Sequence, residues 1–125
     1  MVKRKKEFSS DELKKAIIEG AQEKKALGVT ALDLRELPNA SSDFYVICHG
    51  QTDRQTEAIA KSIEETVFNK LGLWPYHSEG YTNGEWILLD YFHIVAHIFV
   101  SGKREFFAIE DLWADAQIEE FETIH

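Results

Sequence analysis

Cysteine is nearly absent from this chain of 125 residues, which contains Cys48 alone. A single thiol excludes an internal disulfide and is too few for a cysteine-based zinc cluster, so the composition fits a reducing compartment. No apolar run approaches the roughly 20 residues that a membrane-spanning helix needs. No apolar segment follows the basic N-terminus, as it would in a secretory signal. The sequence therefore predicts a soluble, cytoplasmic protein.

Basic charge is also scarce outside one short segment. Four of the 14 Lys and Arg residues lie within Lys3–Lys6, which leaves ten against 22 acidic residues, a formal charge of −12, in the rest of the chain. Phosphate backbones favour clustered Lys and Arg, so the body of the protein is predicted to bind little or no nucleic acid. An acidic body favours a basic protein partner instead, and its field speeds that encounter at low salt.

What the sequence does contain is the pattern of one α/β domain, a mixed β-sheet flanked by helices. Two helices are predicted, from residue 9 to Gly28 and from Thr52 to Gly72, each opened by capping-box spacing and closed by glycine. Strands are predicted at 29–37 and 43–50, followed by a tight hairpin of strands at 85–91 and 93–100. The segment 101–116 has helical character, with Phe106, Phe107, Ile109, Leu112 and Trp113 as its apolar contacts.

These elements set the predicted boundaries. The domain spans residues 9–116, after a flexible basic arm at 1–8. An acidic tail at 117–125 follows, which is expected to be solvated or loosely packed.

Three ionisable side chains, Asp90, His93 and His97, interrupt the most apolar stretch of the chain. Residues two and four apart share a strand face, so the two histidines could bind a metal if Asp90 or Cys48 supplied a third ligand. The alternative is that each imidazole makes local hydrogen bonds and that Asp90 accepts backbone N–H groups where the chain turns. No Cys or His pair has zinc-finger spacing, so the local interpretation is favoured and no metal or cofactor is predicted.

The rest of the sequence does not contain the common catalytic motifs. The segment "GQTDRQT" follows a strand and opens a helix, but it has one glycine and no lysine, unlike a phosphate-binding loop. There is no Gly-x-Ser-x-Gly elbow, and Cys48 lies inside a predicted strand, where a thiol usually packs. Paired carboxylates that would hold magnesium are missing. The sequence therefore argues against an enzyme.

Three segments in unbroken order resemble the ribosomal silencing factor family, also known as the Iojap-like proteins. They are "DFYVICHGQTDRQTEAIAKSIEE", "SEGYTNGEWILLDYFHIVAHIF" and "REFFAIEDLWADA", and the match runs from about Leu13 to Ala116. The resemblance implies a fold related to the nucleotidyltransferases without their catalytic acids. It also implies a protein that binds the fourteenth protein of the large ribosomal subunit, blocks joining of the small subunit and represses translation when nutrients are scarce.

Carried over by residue, the resemblance implies a contact strip on the hairpin and beside it: Glu79, Gly80, Trp86, Asp90, Tyr91 and Arg104. Trp86 and Tyr91 are the predicted anchors, because Trp and Tyr bury a large area at low entropic cost. Core packing is the alternative for Trp86. An exposed aromatic strip also favours self-association, as a homodimer, when the partner is absent.

One departure concerns the turn after Tyr91. Many relatives have Gly-Asp where this chain has Phe92-His93, so the turn is expected to do without a glycine conformation and to lack one acid. Two alternative functions stay open: a factor for assembly of the large subunit, and a nucleotidyltransferase-like enzyme.

Overall fold

Six strands form one mixed sheet in the order β3-β4-β5-β2-β1-β6. The computed structural model describes residues 8–124. The elements along the chain are α1 Ser10–Glu23, β1 Leu27–Asp33, β2 Phe44–Gly50, α2 Asp53–Leu71, β3 His77–Glu79, β4 Trp86–Asp90, β5 Ile94–Val100, α3 Lys103–Phe107, α4 Ile109–Leu112 and β6 Gln117–Glu120. This architecture confirms the predicted mixed α/β domain. Residues 1–7, which make up most of the predicted basic arm, lie outside the described part of the chain.

Helix α1 begins as predicted and ends early. The Ser9 side chain accepts a hydrogen bond from the Glu12 backbone, and the Glu12 carboxylate accepts one from the Ser9 backbone, which completes the capping box. The helix ends at Glu23, and Lys25 takes the left-handed conformation (φ 60°) that turns the chain into β1. The prediction that Gly28 ends this helix is wrong, because Gly28 already lies within β1.

Helix α2 closely matches its predicted bounds. The Thr52 hydroxyl accepts from the Gln55 backbone, and Gly72 ends the helix in the left-handed conformation (φ 68°). The helices α1 and α2 pack against each other at Gly20, where an added Cβ would lie 2.7 Å from the Ile63 Cα. This close approach places both helices on one face of the sheet and covers the larger core, which we call the helix-side core.

The sheet centre is built from β2 and β5, which run parallel and pair from Phe44–Ile94 to Gly50–Val100. Strand β5 also pairs antiparallel with β4, so the predicted hairpin is confirmed. The segment between α2 and this hairpin contains the short edge strand β3. The central strand β2 is buried at five of seven positions, as expected for a strand covered on both faces.

The acidic tail was expected to be solvated or loosely packed, and its residues Gln117–Glu120 are exposed but not loosely packed. These residues form β6, which pairs antiparallel with β1 from Thr30–Glu120 to Asp33–Gln117. All four are exposed, which explains why their composition predicted solvation. The hydrogen bonds come from the backbone, which composition does not reveal.

The segment between β5 and β6 is only partly as predicted. It forms two short helices broken at Ala108, whose positive φ of 48° ends α3 and begins α4. Ile109 is buried and Trp113 packs beside it, but Phe106 and Leu112 are 74% and 76% exposed. This segment covers part of the second sheet face over a smaller core of Leu32, Leu34, Ile47, Phe99 and Ile109.

Candidate functional site

Strand β4 alternates strictly between a buried and a half-buried side. Ile87 and Leu89 are fully buried in the helix-side core, whereas Trp86, Leu88 and Asp90 are half-buried on the opposite face. Side chains in a strand point alternately to the two faces of the sheet, so the second set lies on the face that α3 and α4 cover only in part.

The register extends this half-buried row across three strands. Asp90 pairs with Val95 of β5, which in turn pairs with Tyr45 of β2, and both partners are half-buried. Residues paired across strands point to the same face of the sheet. We call this surface the open strip, and its members are Tyr45, Trp86, Leu88, Asp90 and Val95. The pKa of Tyr45 is raised by burial and by the nearby charge of Asp90.

Trp86 is held at one end of the open strip by contacts on three sides. Its indole Nε1–H donates to Nδ1 of His97 over 3.1 Å. Its ring lies 5.0 Å from the ring of Phe99 and 4.7 Å from that of Phe107, measured between centroids. The ring therefore packs on the smaller core, as the packing alternative predicted, while part of it stays accessible; its role as a partner contact stays a prediction.

His97 lies beneath the open strip as a neutral ring. Because the indole N–H donates to Nδ1, the ring carries its proton on Nε2, and Nε2 has no hydrogen-bond partner among the described residues. The residue is 4% exposed, and burial lowers the pKa of His97 from 6.5 to about 4. The ring is therefore uncharged throughout the physiological range.

A pH dependence of stability follows from this depressed pKa. The unfolded chain binds a proton at His97 below about pH 6.5, whereas the folded ring binds one only near pH 4. The stabilisation is complete above pH 6.5 and is lost as the pH falls toward 4. We expect His97 to lower the free energy of unfolding by about 2 kcal/mol between pH 7 and pH 5, measured by urea denaturation.

His97→Gln is the matched variant for this pH series, because an amide oxygen can still accept from the Trp86 indole. The pKa of His49 is also lowered by burial, so part of the pH dependence should remain in the variant. An identical pH dependence in both proteins would contradict the assignment to His97.

Tyr91 does not lie on the open strip, which corrects its prediction as an exposed anchor at the hairpin tip. It is 4% exposed and belongs to the helix-side core, on the face opposite Trp86. Burial and the charge of Glu64 raise the pKa of Tyr91, and its hydroxyl has no hydrogen-bond partner among the described residues. Tyr91 is therefore a core residue that packs the end of the hairpin against the helix-side core.

The turn after Tyr91 does take a glycine-like conformation, contrary to expectation. Phe92 has φ 81°, a region that bulky L-residues rarely adopt. Asp90 Oδ1 accepts from the Phe92 backbone N–H over 2.8 Å, and the Tyr91 N–H donates to the Ile94 carbonyl over 2.9 Å. Asp90 thus has the local role that the sequence favoured, and these hydrogen bonds hold Phe92 in a strained backbone.

Relief of this strain should be measurable. Phe92→Gly is expected to raise the free energy of unfolding by about 1 kcal/mol, because a left-handed conformation costs an L-residue about 1–2 kcal/mol and glycine offsets part of the gain through its unfolded-state entropy. Phe92→Ala keeps the strain and should not stabilise the protein. Equal denaturation midpoints for the glycine and alanine variants would argue that the turn is unstrained.

Arg104 is predicted to contact a partner, but in the structure its guanidinium N–H groups donate hydrogen bonds within the protein. The guanidinium donates to both carboxylate oxygens of Glu110, to the Gly28 carbonyl and to the Thr30 hydroxyl, over 2.8–3.2 Å. Its side chain is only 10% exposed. This hydrogen bonding lowers the pKa of Glu110. Arg104 therefore fixes the α3–α4 segment against β1 and positions one border of the open strip.

Glu79 and Gly80 lie at the other border, on β3 and just after it. Glu79 pairs with Leu88 across the sheet and is exposed, with its carboxylate 2.6 Å from His77 Nε2. Gly80 has φ 96°, and an added Cβ would lie 2.0 Å from the Trp86 carbonyl oxygen. Glycine is therefore required here for the close approach of the two chain segments, whereas the side chain of Glu79 is exposed to solvent.

The residues proposed for a metal site do not come together. His93 precedes β5 and is largely exposed, His97 is buried, and Cys48 belongs to the helix-side core, where burial raises the pKa of its thiol to about 12. Within residues 8–124, no group of three or more His, Cys, Asp or Glu side chains is arranged to bind a metal ion. The same part of the chain has no helix long and apolar enough to span a bilayer.

Three members of the open strip were not identified from the sequence: Tyr45, Leu88 and Val95. Leu88 could have been found, because it lies two residues from Trp86 and from Asp90 and must share their face. Tyr45 and Val95 depend on the parallel pairing of β2 with β5, which neither segment indicates by itself.

The sequence profile described as "Ribosomal silencing factor during starvation" matches residues 7–125. A protein of Halalkalibacterium halodurans named ribosomal silencing factor RsfS is 33% identical over 94% of this chain and 98% of its own length. A Bacillus subtilis protein of the same name is 32% identical over 77% of this chain and 80% of its own.

Solved structures agree with this relationship. A crystal structure of a protein from Chromobacterium violaceum has a TM-score of 0.80 at 28% identity and covers 86% of this chain and 88% of its own. A crystal structure of a protein from Bacillus halodurans has a TM-score of 0.74 at 29% identity, and the match covers 90% of this chain and 99% of that protein's chain. On the profile match and the identity to named relatives, this chain belongs to the ribosomal silencing factor family.

Proposed function

We propose that this protein binds the large ribosomal subunit through the open strip, on the subunit's fourteenth protein, and thereby blocks joining of the small subunit and represses translation. The observation that carries the proposal is the open strip itself. It is a set of five half-buried residues on three adjacent strands, four of them apolar or aromatic, and the opposite face of these strands packs against the helix-side core. Such a surface is typical of the centre of a protein–protein interface.

Electrostatics favour a basic protein as the partner. Asp90 lies on the open strip and Glu79 borders it, within a chain of net charge −8. Ribosomal RNA would be repelled by these carboxylates, whereas Lys and Arg residues of a protein would be attracted. The acids are expected to speed association, while the aromatic and aliphatic side chains supply most of the binding free energy.

Steric exclusion requires no chemistry at the site. The mechanism needs a rigid surface of defined shape, which the hydrogen bond from Trp86 to His97 and the packing of Trp86 on Phe99 supply. A side chain held in one rotamer before binding loses less entropy when the partner docks.

Sucrose-gradient sedimentation with purified subunits tests this proposal. The protein should sediment with large subunits, and its addition before mixing should lower the amount of joined ribosomes. Binding with no effect on joining would favour the alternative role in assembly of the large subunit. Failure to bind large subunits would refute both.

A further inference from the structure

A second accessible surface lies between the end of α2 and the hairpin turn, and it adjoins the open strip at Asp90. Four aromatic side chains are between 41% and 76% exposed there: Phe68, Trp74, Tyr76 and Phe92. Phe68 and Trp74 stack with ring centroids 4.5 Å apart, and Tyr76 and Phe92 lie 5.0 Å apart. The Tyr76 backbone N–H donates to the Asp90 carbonyl over 2.7 Å, which ties the second pair to the end of β4. We call these four residues the aromatic patch.

Each ring packs on a neighbour, but 41–76% of its residue surface stays in water, where apolar surface is less stable than in a buried contact. Large exposed apolar patches are uncommon on soluble proteins and mark interaction surfaces. The position of Phe92 adds to this argument, because its side chain is presented from a backbone with φ 81° that glycine would adopt without strain. Backbone strain that persists in a folded protein is concentrated at functional positions.

An acidic groove of about 460 Å³ adjoins the aromatic patch at Trp74. It runs between α2 and β3, and its lining is Glu57, Lys61, Glu64, Glu65, Trp74, Ser78 and Tyr81. Lys61 Nζ lies 3.8 Å from Glu57 and offsets that charge. The Tyr81 hydroxyl donates to Glu64 but leaves its charge in place. The groove therefore carries a net charge of −2, beside an aromatic ring.

Among residues 8–124, the rings of the aromatic patch make no cation–π contact with a lysine or arginine of the same chain. Elsewhere, Lys103 lies over Phe106 and both Lys14 and Arg35 lie over Phe44, at 4.6–5.5 Å from the ring centroids. Within residues 8–124, no lysine or arginine occupies a corresponding position over Trp74, Tyr76 or Phe92. Aromatic faces flanked by carboxylates are the arrangement that binds guanidinium and ammonium groups, because both components attract a cation.

We propose that the aromatic patch and the acidic groove form a second docking surface, which binds an arginine-rich segment of a partner protein. A guanidinium stacks on Trp74 and its N–H groups face Glu64 and Glu65. Further basic residues of the segment continue over Tyr76 and Phe92. Arginine fits better than lysine, because its planar group stacks on an aromatic ring and donates to a carboxylate at the same time.

Fluorescence anisotropy with a labelled peptide of alternating arginine and glycine tests this inference at low ionic strength. Binding should weaken about tenfold in Trp74→Ala, since one cation–π contact is worth about that much. It should weaken similarly in Glu65→Lys, which reverses an exposed charge. Ile118→Ala on the distant strand β6 is the matched control and should bind like the parent, and a glutamate–glycine peptide should not bind.

The outcomes separate this inference from the proposed function. Trp86→Ala should keep its affinity for the peptide even if it no longer binds large subunits. Equal affinities for the parent, Trp74→Ala and Glu65→Lys would overturn the inference, as would amide shifts confined to the open strip in a peptide titration followed by NMR. Sedimentation showing a dimer that is lost in Phe92→Ala would also overturn it, because a second copy of this chain would then be the occupant.

Discussion

Replacement of Trp86 by alanine should weaken binding to large ribosomal subunits at least thirtyfold. Trp86 is the largest side chain of the open strip, and truncation of a well-packed aromatic anchor typically costs about 2–4 kcal/mol of binding free energy. Its ring is held by His97 and by two phenylalanine rings, so it reaches the partner already ordered. The measurement is a binding isotherm from co-sedimentation with purified large subunits, together with the fraction of joined ribosomes.

Two further variants make the result specific. Ile118→Ala also removes a half-exposed apolar side chain, but from the opposite edge of the sheet, and should bind normally. Glu79→Gln should have a smaller effect that fades at high salt, as expected for a screened charge. Circular dichroism must show that Trp86→Ala is folded. If the folded variant binds like the parent, the contact surface lies elsewhere on the protein.

Tyr91→Ala should instead destabilise the fold, lowering the free energy of unfolding by about 3–5 kcal/mol. The residue is 4% exposed in the helix-side core, so truncation leaves a cavity that its neighbours cannot fill. Binding to large subunits would fall as well, but only in proportion to the folded fraction. Denaturation by urea, measured in parallel with binding, distinguishes this cause from loss of a contact.

Tyr91→Phe separates the ring from its hydroxyl. That hydroxyl is buried without a hydrogen-bond partner among the described residues, so its removal should leave stability unchanged or raise it by up to about 1 kcal/mol. The exposed Tyr76→Ala is the control for a tyrosine outside the core. A loss of more than 1 kcal/mol in Tyr91→Phe would reveal a partner for the hydroxyl.

The order of helices and strands was predictable because it depends on short-range patterns. The capping serine and threonine, the left-handed Gly72 and the alternation along β4 are each encoded within a few residues. The same alternation predicts the buried position of Tyr91. Tyr91 lies two residues after Leu89 and four after Ile87, so its side chain points to the same face of the sheet as theirs, into the core. Family resemblance had grouped Tyr91 with Trp86 on the opposite face.

Features that depend on long-range contacts were not predictable. Arg104 reaches Gly28 and Thr30, which are more than 70 residues away along the chain, so its internal role is not visible in its own segment. Strand β6 is recognised only by its pairing with β1. The backbone of Phe92 contradicts residue preference, because the surrounding hydrogen bonds outweigh the strain of one residue.

The pairing of β1 with β6 has a consequence for the time course of folding. About 80 residues separate these strands along the chain, and at a synthesis rate of about 5–20 residues per second the outer edge of β1 waits on the order of ten seconds for its partner. During that time β1 can already pair with β2, which follows it closely, but its other edge presents unpaired backbone groups. The outer edge of β1 is therefore open to edge-to-edge aggregation in the nascent chain, and faster translation of the second half of the chain would shorten that interval.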